Sequence, residues 1–144
     1  MLNIIKLAVG IEDIDHLAEV QKRKLADSRA TNSKKARLWH RTRHGPRRSE
    51  ELLDGGSMYW VIKGRIAARQ RLLGFESETD EEGRKFCFIM LDPELMPTAP
   101  RRHRAFQGWR YFPGADVPPD QPKRQGGEDF PSEMAAELRE LGLL

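Results

Sequence analysis

The sequence is poor in cysteine: Cys87 stands alone. One thiol cannot close an intrachain disulfide, so a reducing compartment, and with it a cytoplasmic location, is the expectation. No apolar run approaches the ~18 residues that read as a membrane-spanning helix. The opening stretch from Met1 to Gly10 is apolar but short, and it lacks a charged leading region. It reads as a strand rather than a secretion signal. Metal-binding spacings are also missing. His16, His40, His44 and His103 are scattered, with no Cys-x-x-Cys and no His-Glu-x-x-His. His40 and His44, four positions apart, would be separated by about 13 Å in a strand, too far to share an ion. There is no Gly-x-Gly-x-x-Gly, no Walker loop and no Gly-x-Ser-x-Gly. Gly55-Gly56-Ser57 lacks the downstream Lys-Ser/Thr of a phosphate loop and reads as a helix cap leading into a strand. No metal and no cofactor is implied. Cys87, between Phe86 and Phe88, reads as a core residue rather than a nucleophile.

Acids are nearly missing from one stretch. Residues 22–48 hold eleven of the 25 Lys and Arg but one acid, Asp27, a local balance of +10 against −7 for the rest of the chain. A basic pole of that size favours a polyanionic partner. The 144 residues suffice for one domain with a real core.

The densest strand-forming run is Met58 to Lys63, fenced by Gly55-Gly56 and Gly64. Leu2 to Val9 reads as a first strand, apolar on both faces and therefore central. Glu12 or Asp13 caps a helix to about Ala26, with Ile14, Leu17, Ala18, Gln21 and Leu25 on one face. Its terminal Lys22-Arg23-Lys24 suits the helix dipole. A basic loop spans about 28–36. Ala36 to His44 reads as extended, with Arg37, Trp39, Arg41 and Arg43 on one face. A short helix from Arg47 to Asp54 comes after Pro46. In Arg65 to Glu76, Ile66, Ala68, Gln70 and Leu72 alternate with Arg65, Ala67, Arg69 and Arg71. Lys85 to Leu91 is a core strand pairing with it as a hairpin. Pro97 and Pro100 keep the next segment irregular. Phe106 to Phe112 is a last aromatic strand, with Trp109 largely buried and Arg110 outside. Residues 1–120 form the domain, 113–131 a proline-rich extended arm, and 132–144 a terminal helix. The expected class is α+β: a mainly antiparallel sheet of about five strands with flanking helices. It has scope to curl into a partial barrel, like the small RNA-binding barrels of pseudouridine synthases and archaeosine transglycosylases in shape alone.

Arginine and aromatic residues carry the functional signal. Arg forks grip phosphate and stack on bases, and an aromatic ring can stack on a base. Trp39, Arg41, Arg43, Arg47, Arg48, Arg69, Arg71 and Arg110 are the candidate nucleic-acid-binding residues, for RNA rather than duplex DNA, since no helix-turn-helix is evident. A small hydrolase or nuclease using Asp92 and Glu94 with His103 or His44 is a second reading, and requires these groups to converge. A protein-interaction adaptor using the proline-rich tail and Trp109 is a third.

Several phrases occur together: Thr42-Arg43-His44-Gly45-Pro46-Arg47-Arg48, Gly55 to Gly64, Arg69-Gln70, Leu91-Asp92-Pro93-Glu94-Leu95, and Phe106-Gln107-Gly108-Trp109-Arg110-Tyr111. In these the chain, from Met1 to about Asp120, resembles a family of small bacterial proteins, the domain of unknown function number 1489. The resemblance brings no reaction, cofactor or catalytic residue.

Overall fold

The computed structural model describes residues 1–30 and 38–121. Within them the fold is α+β: β1 (Leu2–Leu7), α1 (Ile14–Ala30), β2 (Leu38–Thr42), α2 (Ser49–Leu53), β3 (Ser57–Ile62), β4 (Arg65–Thr79), β5 (Lys85–Leu91), β6 (Met96–Arg102) and β7 (Trp109–Pro113), then a 3-10 turn at Gly114–Asp116. The strand order is β2-β5-β4-β3-β1-β7, with β6 branching from β4. β1 and β3 are parallel, and each other pair is antiparallel. The sheet is thus mixed and open, with seven described strands rather than about five. The unexpected strand is β6, which contains Pro97 and Pro100. Among the strands it pairs with β4, and its other side meets only the short segment 119–121, so it tolerates prolines as an edge strand does. Neither described helix is long and apolar enough to cross a membrane.

α1 begins where the acids lie. Asp13 Oδ1 accepts the His16 backbone N–H at 2.8 Å, and His16 Nδ1 accepts the Glu12 N–H at 3.0 Å, a reciprocal cap. The helix continues to Ala30, past the expected end at Ala26, so Lys22-Arg23-Lys24 lies inside it and residues 28–30 of the expected loop are helical. The remainder of that loop, residues 31–36, lies outside the described residues, as do 122–131 of the arm and the terminal helix.

β4 determines the shape of the sheet. Its first half pairs with β3 on one side and β6 on the other; from Leu72 onward it pairs with β5. Trp60 faces Ala68 while Val61 faces Ile66, so Ala67 is an extra residue. Leu72 faces Leu91 while Gly74 faces Met90, so Leu73 is another. Each bulge adds twist and inverts the in–out parity of the strand beyond it. Ile66 therefore packs with Ile5, Tyr59, Val61 and Phe112, while Leu72 packs with Leu2, Ile4, Met58, Trp60, Ile89 and Leu91 on the other face. The single apolar face expected for Ile66 through Leu72 is divided between two clusters. The larger cluster draws from β1 and β3 and also from β2 and β5, so the sheet folds over it, with Leu17 of α1 completing it.

Gln70 lies inside that fold, with 0% exposure. Its Oε1 accepts from Gln21 Nε2 and Trp60 Nε1, both at 2.7 Å, and its Nε2 donates to Gln21 Oε1 at 2.8 Å and to the Asp92 carbonyl at 3.1 Å. The two ends of the sheet are linked through side chains. Trp109 Nε1 of β7 donates to the His44 carbonyl after β2 at 2.7 Å, and the Tyr111 hydroxyl accepts the Arg47 and Arg48 backbone N–H groups at 3.0 and 3.1 Å. Trp109 is half-buried rather than largely buried, and packs with Tyr111 against the larger cluster. The first part of the expected arm is docked: Asp120 bridges Thr98, with the Ala99 N–H on the Pro119 carbonyl and the Gln121 N–H on the Pro97 carbonyl, both at 2.8 Å.

Gly56 joins three elements. Its N–H donates to the Leu52 carbonyl at the end of α2, and its carbonyl accepts the Leu72 N–H. A Cβ there would lie 2.3 Å from both the Leu2 and Leu52 carbonyl oxygens, which are backbone atoms that cannot swing away. Gly56→Ala is expected to cost more than about 4 kcal/mol, at the severe end for single substitutions. Urea denaturation checks this; a midpoint near wild type would show that β1 and α2 can part at no great cost.

Candidate functional site

The outer face of β2 and β5 carries an aromatic row. Because β2 alternates, Leu38, His40 and Thr42 point inward while Trp39 and Arg41 point outward. On β5 Cys87, Ile89 and Leu91 are buried, and Phe86, Phe88 and Met90 are half-exposed. The register sets Trp39 beside Met90 and Arg41 beside Phe88. Trp39 meets Phe88 edge to face with centroids 4.9 Å apart, and Phe88 meets Phe86 at 5.1 Å. Cations lie over the row: the Arg41 guanidinium 4.0 Å from the Phe86 centroid, and the Lys24 ammonium 5.7 Å from that of Trp39. Trp39 remains 37% exposed. On the β4 side the row is bordered by Gly74, Glu76 and Glu78. The surface is a row of rings steeply inclined to one another, an aromatic platform with bases along the β2 border and carboxylates along the β4 border.

The residues singled out from sequence do not all meet there. Trp39 and Arg41 are on the platform, and Arg43 is exposed just beyond β2. Arg47 and Arg48 lie in the loop clasped by Tyr111. The Arg48 guanidinium grips Glu51 through two bonds of 3.0 and 2.6 Å and lies 5.4 Å from the Tyr111 ring centroid. Arg69 is engaged within the fold, with two bonds of 2.7 and 2.6 Å to the Asp120 carboxylate and one of 3.0 Å to Ser57 Oγ. That pairing lowers the Asp120 pKa and raises that of Arg69. Arg71 is exposed, and Arg110 lies over Phe106 at 5.2 Å. The sequence reading missed Phe86, Phe88 and Lys24. A continuous apolar run does not tell which alternate set faces out, and a lysine near a helix end is explained by the helix dipole without a ring beneath it.

The carboxylates of the hydrolase reading do not converge with His103. Asp92 Oδ1 accepts the Glu94 N–H at 2.8 Å, and the Asp92 N–H reaches the Arg71 carbonyl. The His103 N–H reaches the Gly64 carbonyl instead. Those anchors lie seven positions apart along the chain, at most about 23 Å of strand. Among the described residues no three His, Cys, Asp or Glu are grouped to hold a metal. Burial raises the Cys87 thiol pKa, as befits a core residue.

His40 lies beneath the platform. Its ring meets Trp60 edge to face at 5.4 Å, and its Nε2 is buried without a hydrogen-bond partner. Burial first, then the charges of Lys6 and Lys24, lower its pKa to about 4. The neutral ring is the folded form, and the unfolded chain takes up a proton near pH 6.5. Stability is therefore full above about pH 6.5 and declines as pH falls toward 4, by roughly 3 kcal/mol across the window. His40→Phe is expected to flatten that slope in urea denaturation at stepped pH; an unchanged slope would place the titration elsewhere.

No curated protein and no solved structure matches the chain. A family model described as "Protein of unknown function (DUF1489)" matches residues 4–144, extending the likeness through the C-terminal segment. The chain belongs to the DUF1489 family.

Proposed function

We propose that the protein is a cytoplasmic RNA-binding module whose contact surface is the aromatic platform of β2 and β5. The observation that carries this reading is the row Trp39–Phe88–Phe86 on an open sheet face, with Arg41 and Lys24 over its rings. Edge-to-face pairs across strands stabilise a sheet, but a row left partly open on one face, with Trp39 exposed, is also the kind of apolar surface that marks a contact site. Bases stack on such rings irrespective of sequence, while adjoining cations hold the phosphates. Single-stranded RNA fits better than a duplex, because stacking requires splayed bases. Arg43 extends the cationic border. Arg69 is removed from the binding set by its pairing with Asp120. The folding of the sheet over its core also supports a partial-barrel description, akin in shape to the small RNA-binding barrels of pseudouridine synthases.

The test is fluorescence anisotropy with a labelled single-stranded RNA oligonucleotide at two salt concentrations. Trp39→Ala and Phe88→Ala should each weaken binding roughly 5- to 150-fold, the range for loss of one stacking ring. Arg41→Gln should reduce the salt slope by about 0.7. Circular dichroism should remain that of wild type. Absence of salt-sensitive binding would overturn the proposal. So would a platform that, by sedimentation, pairs two copies of the chain through Trp39 and leaves RNA unbound.

A further inference from the structure

The loop of residues 43–48 joins β2 to α2. It leaves β2 where Thr42 faces Cys87 and where the Arg41 guanidinium covers Phe86, at one end of the platform. From there it reaches β7, and side chains of β7 hold its backbone. The His44 carbonyl accepts from Trp109 Nε1 at 2.7 Å, and the Arg47 and Arg48 N–H groups donate to the Tyr111 hydroxyl at 3.0 and 3.1 Å. The two rings brace each other edge to face, with centroids 5.0 Å apart. Between these anchors Gly45 packs so near Cys87 that a Cβ would meet its Sγ at 3.3 Å. Pro46 follows, with a fixed φ and no N–H to satisfy.

Ordering a surface loop costs conformational entropy. Here the loop is ordered by bonds that use none of its arginine side chains, which are left over. Arg48 is neutralised by Glu51. Arg43 and Arg47 are exposed and form no ion pair with a described residue. Closure of the sheet accounts for the clasp and for the Arg48 pair, but not for two unpaired guanidiniums. With Arg41 they form a series along one stretch of chain. Arg43 is two residues beyond Arg41, and Arg47 is four further on, at most about 13 Å of extended chain. Like charges in series repel one another and attract a polyanion. Guanidinium forks match the geometry of phosphate oxygens.

We infer that this loop is a second contact for the RNA strand stacked on the platform. Arg43 and Arg47 take phosphates that follow the stacked bases, and Tyr111 is a positioning residue that holds the loop for them. The inference rests on the platform reading and adds to it the class of RNA: a strand long enough to run past the three rings toward β7. A loop ordered before binding loses little freedom on contact, which favours affinity.

The test is fluorescence anisotropy of the full chain with two labelled single-stranded RNAs. One is a tetranucleotide and the other has about 12 nucleotides, the two lying within the ~4–16 nucleotides of comparable single-strand sites. Wild type should bind the longer strand roughly tenfold more tightly or better, because a second contact on one strand forms as an intramolecular event. Arg43→Gln/Arg47→Gln should reduce the salt slope for the longer strand by about 0.7 per arginine and leave that of the tetranucleotide unchanged. Both arginines are exposed and unpaired, so this variant is expected to fold. Tyr111→Phe keeps the ring and removes the hydroxyl. It should weaken binding of the longer strand alone, and have no further effect in the Arg43→Gln/Arg47→Gln background. A merely structural loss would weaken both RNAs and persist in that background, which would overturn the positioning role. The inference is overturned if the double variant binds the longer strand with the wild-type slope, or if it weakens both RNAs alike. Wild type that binds neither RNA would remove the platform reading and this inference with it; wild type that binds both, unchanged by the double variant, would remove the loop contact alone.

Discussion

Both polar ends of the Gln70 side chain are engaged, and its bonds reach three different parts of the fold. Its carbonyl serves α1 through Gln21 and β3 through Trp60; its amino group serves α1 again and the chain leaving β5 at Asp92. An amide buried this completely is tolerable only when all its bonds are made, because one orphaned group costs about 1–3 kcal/mol. The network therefore acts as a joint with one satisfactory geometry. It lies between the bulges at Ala67 and Leu73, where β4 passes from β3 and β6 to β5.

That location links the core to the surface. Where β4 leaves the joint determines where β5 lies, and β5 positions β2. The inner residues of these strands, His40, Ile89 and Leu91, close on Trp60 and Met58. Their alternates, Trp39, Phe88 and Phe86, are thereby turned outward. The platform is the reverse side of a well-packed core, which gives its rings fixed positions. The Trp109 and Tyr111 clasp performs the same service for the loop after β2, holding Arg43 to Arg48 against β7.

Much of the fold was legible in local pattern. The apolar faces of α1 and β3, the glycine fences and the β4–β5 hairpin arise from residue type and periodicity. The illegible features depend on pairing at a distance. A bulge leaves no mark in a period of two, so Ile66 and Leu72 read as one face. β6 was hidden by two prolines that only an edge position allows. Arg69 read as a surface cation because its partner, Asp120, lies 51 positions away. Of the candidate site, Trp39 and Arg41 were legible from alternation. Phe86 and Phe88 were not, since both faces of β5 are apolar and only the register with β2 shows which is outside.

The central claim is that the Gln70 joint opens only when the whole domain does. The Trp60 indole N–H, bonded to Gln70 Oε1 at 2.7 Å, reports on it directly. Hydrogen exchange of that proton, measured by NMR against the backbone amides of β3 and β4, is the decisive measurement. The account predicts exchange as slow as the slowest core amides, with the same dependence on added urea as global unfolding. Exchange many times faster than those amides, and insensitive to urea, would mean that the joint opens locally and that the geometry of β4 is fixed by something else.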